Sequence, residues 1–273
     1  MNAPRTVAPL PADAPADFNG AIIRFVDVYK RFGSLPVLQG VNLDIPADQT
    51  TVVIGPSGVG KSVLLKHIVG LLRPDAGEIF FHGRRIDHLG ERALETIRKR
   101  IGFLFQLGAL FDSMTVFDNV AFPLREQSDK SEEEIRRVVR ESLAVIGLSG
   151  TELKMPADLS GGQRKRIALA RAIAMHPEVV LYDEPTTGLD PIRADIINEL
   201  ILKLKRDLKV TGIVVTHDTT SALKVADQIV MLLDGKIVFR GTAQQLRSCP
   251  EERVQRFIQG RASPEELRAL HQN

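Results

Sequence analysis

A chain of 273 residues, 44% hydrophobic and 26% charged, has an ordinary globular profile and room for one large or two small domains. Its net charge of +2, from 36 basic and 34 acidic residues, gives no overall pull toward nucleic acid or anionic membranes. The single cysteine, Cys249, excludes an intramolecular disulfide framework and fits a reducing compartment, and no apolar run approaches the ~18 residues of a membrane-spanning helix.

Residues 1–20 are rich in Ala and Pro, lack periodic apolar positions and lack the apolar centre of a secretory signal. They are expected to be a disordered tail. Order is expected from Ile22–Val28, a strand, followed by short strands at Val37–Leu38 and Val41–Ile45. Thr50–Ile54 is β-branched and apolar, as a buried strand should be, and the glycine-rich stretch 55–62 leads from it into a helical pattern that stops at Gly70. Gly77–Gly83 reads as a strand bounded by glycines, Leu89–Arg100 as a helix with basic residues at its carboxyl end, and Ile101–Phe105 as a strand that delivers Gln106. From about 107 to 176 the chain turns helical. Ser131-Glu132-Glu133-Glu134 has the form of a capping box opening a helix to Gly147.

Beyond that, Val179–Tyr182 reads as a buried strand, and Asp190-Pro191 as an N-cap and first residue of a helix to about Lys209. A strand at 212–216, a helix from Asp218 and strands at 228–233 and 236–239 complete the pattern. Strands alternating with helices predict a parallel α/β sheet with its ligand at the carboxyl ends of the strands, preceded by a β-rich layer.

Gly55-Pro56-Ser57-Gly58-Val59-Gly60-Lys61-Ser62 fits G-x-x-x-x-G-K-[ST] at every fixed position, between a strand and a helix. That context aims backbone N–H groups and a helix dipole at one spot, which suits phosphate. Lys61 would neutralise phosphate charge and the Ser62 hydroxyl would hold Mg²⁺. The motif alone does not choose between kinases, GTPases, helicases and transporters. Asp183 ends an apolar strand, where a Mg²⁺-binding carboxylate belongs, and Glu184 follows it, placed to act as general base toward an attacking water; a structural pair is the plainer alternative. In Leu159-Ser160-Gly161-Gly162-Gln163, Ser160 caps a helix and Gln163 closes a capping box, while the glycines cost helix stability and so suggest close backbone approach to an anion.

Taken together, these motifs resemble those of the ATP-binding cassette (ABC) ATPases. GPSGVGKS, Gln106, LSGGQ, YDEP, the Thr187–Asp190 run and His217 stand in that family's order, and the resemblance spans about Ile22 to Gly241. It implies a P-loop NTPase fold with a parallel-sheet core like that of RecA, an N-terminal antiparallel β-subdomain and a helical subdomain at about 107–176, ahead of a C-terminal extension from 246. It further implies ATP and Mg²⁺ as ligands. Phe32 sits where an aromatic stacks on adenine, with Tyr29 the second candidate. Gly55, Ser57, Gly58, Gly60, Lys61 and Ser62 would hold the phosphates. Ser62, Gln106 and Asp183 would serve the metal, Gln106 also sensing a membrane partner, and Glu184 would be the base. His217 would touch the γ-phosphate, although a lone histidine at a strand end is otherwise unremarkable. Ser160, Gly161, Gly162 and Gln163 would face the nucleotide of the opposite subunit, with Asp190 in a loop at that interface, which implies a homodimer of this chain. Val63 departs from the pattern: the family usually has a second hydroxyl residue there, so a side-chain contact to the nucleotide is lost at this position.

Segment 105–124 places Leu110, Phe111, Met114, Phe117 and Phe122 in an amphipathic run, core residues on the plain reading and a surface for a permease helix on the other. Its wording, the run GKSVLLKHIVGLL at 60–72 and the stretch Arg253–Gly260 resemble ATPases of the Mla-type phospholipid transporters. That branch implies attachment to the cytoplasmic face of an inner membrane through an MlaE-type permease, with an MCE-domain protein in the complex and no nucleic acid partner. The stretch 253–260 reads equally well as a solvated amphipathic helix. A cassette for another cargo is the main alternative, since the catalytic motifs would be the same.

Overall fold

The computed structural model describes residues 20–262 and Arg268; the expected N-terminal tail, Gly20 apart, and the end of the C-terminal extension lie outside the described residues. The chain opens with strand β1 (Ala21–Phe32), paired antiparallel to β2 (Leu35–Pro46). The two short strands expected at 37–45 are thus one strand. The break in their pattern is a bulge: the register slips between Val28↔Val41 and Lys30↔Leu38, and Gly40 absorbs it at φ 69°. A Cβ there would come within 3.0 Å of the Tyr29 hydroxyl.

After β3 (Thr50–Ile54) and α1 (Lys61–Ile68), β4 (Ala76–Phe81) and the two-residue β5 (Arg84–Arg85), which sequence reading missed, complete a four-stranded sheet in the order β2-β1-β4-β5. Helix α2 (Glu91–Arg98) leads to β6 (Ile101–Leu104). A helical group follows, made of α3 (Val116–Gln127), α4 (Glu132–Val145), a 3₁₀ turn at Pro156–Asp158 and α5 (Gly161–Ile173). Strand β7 (Val179–Asp183), α6 (Pro191–Leu208), β8 (Thr211–Thr216), α7 (Thr219–Val225), β9 (Gln228–Leu233) and β10 (Lys236–Gly241) return the chain to a second sheet. Its order is β10-β9-β3-β8-β7-β6, parallel except for β10.

Every residue of β3, β7 and β8 is buried, the mark of parallel strands covered on both faces. Alternate residues feed two apolar clusters. Val52, Ile54, Val180, Tyr182 and Val214 face the helical group and α6, whereas Val53, Val179, Leu181, Ile213 and Val215 face α1 and the antiparallel sheet. The mixed-sheet and helical architecture expected from the sequence is present.

The chain ends its described course in α8 (Ala243–Arg247) and α9 (Glu252–Ile258). Val254 is fully buried in the first cluster, and the Gln255 amide donates to the carbonyl oxygens of Leu246, Arg247 and Cys249 at 3.4, 3.2 and 2.8 Å. This stretch is therefore an amphipathic helix with one face packed on the core.

Candidate active site

The parallel pairing brings the singled-out motifs to one edge of the second sheet. Ile54 stands opposite Thr216, Asp183 opposite Val215 and Leu104 opposite Tyr182, so the segments that follow these strands converge. After β3 the backbone turns through Gly55 at φ 154° and Gly60 at φ 106°. A Cβ on Gly55 would lie 2.2 Å from the Leu232 carbonyl oxygen, and one on Gly60 would lie 2.8 Å from a Val37 methyl carbon. Both positions need glycine for space as well as conformation. Gly60 caps α1 without a side-chain bond, which leaves first-turn N–H groups directed at the cavity.

That cavity, of about 320 Å³, is lined by Ser57, Gly58, Gly60, Lys61, Ser62, Val63, Gln106 and Glu184. The Lys61 ammonium donates to the carbonyl oxygens of Gly55 and Pro56 at 2.8 and 2.9 Å and lies 3.6 Å from a Glu184 carboxylate oxygen. Burial lowers the Lys61 pKa from its ordinary value, and the Glu184 charge opposes that. The Ser62 hydroxyl donates to the Asp183 carboxylate at 2.7 Å. Burial pushes the Asp183 carboxyl up; the Ser62 bond opposes the shift and the Glu184 charge adds to it.

Glu184 is 6% exposed and holds φ at 48°. One carboxylate oxygen accepts from Thr187 Oγ1 at 3.0 Å and Thr216 Oγ1 at 3.3 Å and lies 2.9 Å from His217 Nδ1. Lys61, Ser62, Asp183, Glu184 and His217 thus form one connected cluster of charge and hydrogen bonds beside a cavity that Gln106 also lines. A hydroxyl, a carboxylate and an amide oxygen from Ser62, Asp183 and Gln106 make an all-oxygen donor set. No group of three or more His, Cys, Asp or Glu suited to a metal occurs among the described residues. A hard cation there would take part of its shell from phosphate and water, as Mg²⁺ does, and would offset the strained charge balance at Asp183.

Ser160 to Gln163 stand elsewhere. Ser160 caps α5, accepting from the Gln163 N–H at 3.3 Å while the Gln163 side chain accepts from the Ser160 N–H at 2.9 Å. The capping box read from the sequence is present. Ser160, Gly162 and Gln163 line a separate depression of about 100 Å³ with Arg193 and Ile196, not the phosphate cavity of their own chain. A Cβ on Gly162 would meet Arg193 Cδ at 3.3 Å, and Gly161 opens the same helix. Asp190 caps α6, accepting from the Arg193 N–H at 3.0 Å, and pairs with the Arg193 guanidinium at 3.2 Å.

Phe32, at the end of β1, is 47% exposed and lies outside the phosphate cavity, with the Lys30 ammonium 5.7 Å from its ring centre. Asp75 tethers this end of the strand, accepting from the Lys30 ammonium at 2.8 Å and the Arg31 N–H at 2.7 Å. Of the aromatic run at 105–124, Phe111 and Phe122 meet at 4.8 Å and line a groove of about 430 Å³ with Phe105, Met175, Arg98 and Arg171. Leu110 and Phe117 pack on the core instead.

Sequence reading gave no role to the side chains of Thr187, Thr216 and Lys165. Lys165 Nζ donates to the carbonyl oxygens of Glu184 and Pro185 at 3.0 and 2.9 Å. A signal existed: Ala168, Leu169 and Ala172, all buried, lie three, four and seven residues on, so Lys165 falls on the apolar stripe of α5.

Comparison with known proteins points to one family. The family described as ABC transporter matches residues 38–187. The "Probable ribonucleotide transport ATP-binding protein mkl" of Mycobacterium leprae is 44% identical over 242 residues, covering 89% of this chain and 70% of the relative. The "Intermembrane phospholipid transport system ATP-binding protein MlaF" of Haemophilus influenzae is 44% identical over 232 residues, covering 85% of this chain and 88% of the relative. Among solved structures, the dimeric post-hydrolysis state of the cassette MJ0796 bound to ADP and Pi superposes with a TM-score of 0.75 at 34% identity, covering 81% of this chain and 98% of that one.

Proposed function

The chain belongs to the ABC transporter family of ATP-binding cassette ATPases, and from that premise we propose that it powers phospholipid movement between two membranes, as one of a pair of identical subunits under a membrane-embedded permease. Two ATP molecules are held between the subunits, each by the phosphate cavity of one copy and Ser160, Gly161 and Gly162 of the other. The observation that carries this reading is the separation of the two motifs: within one chain the capped N-terminus of α5 lines a different depression from the cavity of Lys61 and Glu184.

At each site Lys61 and the α1 amides neutralise phosphate charge, and Glu184 accepts a proton from the water that attacks the terminal phosphorus. His217, 2.9 Å from Glu184, bridges that carboxylate to the terminal phosphate. Ser62, Asp183 and Gln106 would hold Mg²⁺, which would supply charge stabilisation on the phosphate oxygens. Phe32 stacks on adenine and Asp190 lies at the subunit boundary. The groove lined by Phe105, Phe111, Phe122 and Met175 receives a helix of the permease. No helix among the described residues is long and apolar enough to cross a membrane, which fits peripheral attachment to the cytoplasmic face of an inner membrane. An MCE-domain protein completes the complex.

The likeness to the H. influenzae protein and the wording of segment 105–124 support the phospholipid cargo. The test is gentle purification of the tagged chain from native membranes, with mass spectrometry of the proteins and lipids that accompany it. An MlaE-type permease, an MCE-domain protein and bound phospholipid are expected. A different permease overturns the cargo while leaving the ATPase, and a ribonucleotide transporter would favour the cargo in the mycobacterial relative's name.

A further inference from the structure

Lys165 occupies the second turn of α5, just beyond the Ser160–Gln163 cap, and is 7% exposed. Packing alone would be met by methionine or leucine at this place on the apolar stripe, and burying an ammonium is costly without partners. Its hydrogen bonds go to two consecutive backbone carbonyls, those of Glu184 and Pro185. Burial pulls its pKa down to about 8, with the charges of Glu184 and Asp183 opposing.

The two carbonyls belong to the consecutive peptides that lead away from the proposed general base. Glu184 is fixed on its other side by its N–H, which donates to the Val215 carbonyl of β8 at 2.9 Å. Between these anchors φ stands at 48°, in the left-handed region that disfavours side chains, so the conformation depends on what holds its two ends. One end belongs to the sheet. The other belongs, through Lys165, to the helix whose N-terminus carries Ser160 and Gly162. Any tilt or advance of α5 acts directly on the backbone that aims the Glu184 carboxylate.

We propose that Lys165 is a positioning residue that couples the two ATP sites of the dimer: nucleotide engaged by the α5 N-terminus of one chain sets, through Lys165, the Glu184 of that same chain and so the turnover of that chain's own phosphate cavity. The inference rests on the reading that Ser160 to Gly162 serve the opposite subunit's nucleotide.

Lys165→Met keeps the stem and removes the donors. It is expected to lower kcat roughly 10- to 100-fold, the scale of a misplaced catalytic group, with affinity for a fluorescent ATP analogue changed less than about twofold because the phosphate contacts are untouched. The Hill coefficient for ATP should fall from near two toward about one, and Lys165→Arg should restore most of the rate. If Lys165→Met is poorly folded, Lys165→Leu, which also lacks a donor, serves with the same expectation.

Doubly tagged heterodimers separate coupling from plain destabilisation. With Glu184→Gln on one chain and Lys165→Met on the other, the remaining Glu184 lacks its Lys165 and hydrolysis should be nearly lost. With both changes on one chain, activity should equal that of a heterodimer carrying Glu184→Gln alone. Equal losses in the two arrangements, or an unchanged kcat and Hill coefficient in Lys165→Met, overturn the proposal. Failure of Glu184→Gln to dimerise with ATP in light scattering overturns the composite-site reading instead, and the coupling between sites with it.

Discussion

Glu184 combines a left-handed backbone, near-complete burial and four polar neighbours, Lys61, Thr187, Thr216 and His217, around one carboxylate. A residue kept only for structure would not require an anion in that setting. We predict that Glu184→Gln retains ATP binding, since Lys61, Ser62 and the α1 amides are untouched, but loses turnover by about 100-fold or more, as expected for removal of a general base. Phosphate release beside nucleotide binding on the same preparation decides it, and near wild-type release would remove Glu184 from that role. Residues such as Lys61, Ser62 and Asp183 were legible in the sequence because the chemistry fixes their spacing within one motif or at one strand end. Thr187 and Thr216 were not, because a threonine beside a strand end has many ordinary uses. Lys165 was obscured because a lysine in a polar stretch of helix reads as solvent-facing until the other face is counted.

Capping boxes show how the same local chemistry serves two ends. Ser131 with Glu134 at α4, and Ser160 with Gln163 at α5, make reciprocal bonds with nearly identical distances. Both were readable from four residues, since a capping box is a local device. The first opens an amphipathic helix with three exposed glutamates in its first turn, whereas the second opens with two glycines and no acid. Ser131→Ala is therefore predicted to cost about 1 kcal/mol, roughly 2–4 °C in melting temperature for a chain of this size, with ATP hydrolysis unchanged. Ser160→Arg should abolish hydrolysis while leaving the phosphate cavity intact. Mixing it with Lys61→Ala chains should restore part of the activity, because one of the two composite sites then has both halves whole; no recovery in proven heterodimers would remove the composite site. The strand elements were less legible. Alternation in β2 is broken by the Gly40 bulge, and β5 is too short to show any period, so both are defined by pairing with distant strands rather than by their own residues.

At the scale of the molecule, the order of strands and helices was open to reading because each parallel crossover leaves its own strand–helix signature. What joins the antiparallel sheet to the edge of the parallel one was not, since the residues are far apart in the chain. Glu178, just before β7, accepts from the Arg100 guanidinium at 2.5 and 2.9 Å and lies 2.8 Å from His82 Nε2, which follows β4. Arg100 also lies over the Phe81 ring at 5.2 Å. Burial alone would push the Glu178 carboxyl up, but the hydrogen bonds from His82 and Arg100 outweigh it and hold the pKa at about 2, against an ordinary value of 4.5. A carboxyl whose folded pKa is depressed contributes stability above its unfolded pKa and loses it as pH falls toward the folded value. The clasp should therefore weaken between about pH 4.5 and pH 2. Denaturant midpoints taken from pH 6 downward should fall more steeply for the wild-type chain than for Glu178→Gln, which has already lost the charge, so the two curves converge in acid. Parallel curves would show that the link between the sheets does not depend on this carboxylate but on the apolar cluster that Phe25, Ile79 and Phe81 form with Val179, Leu181 and Ile213.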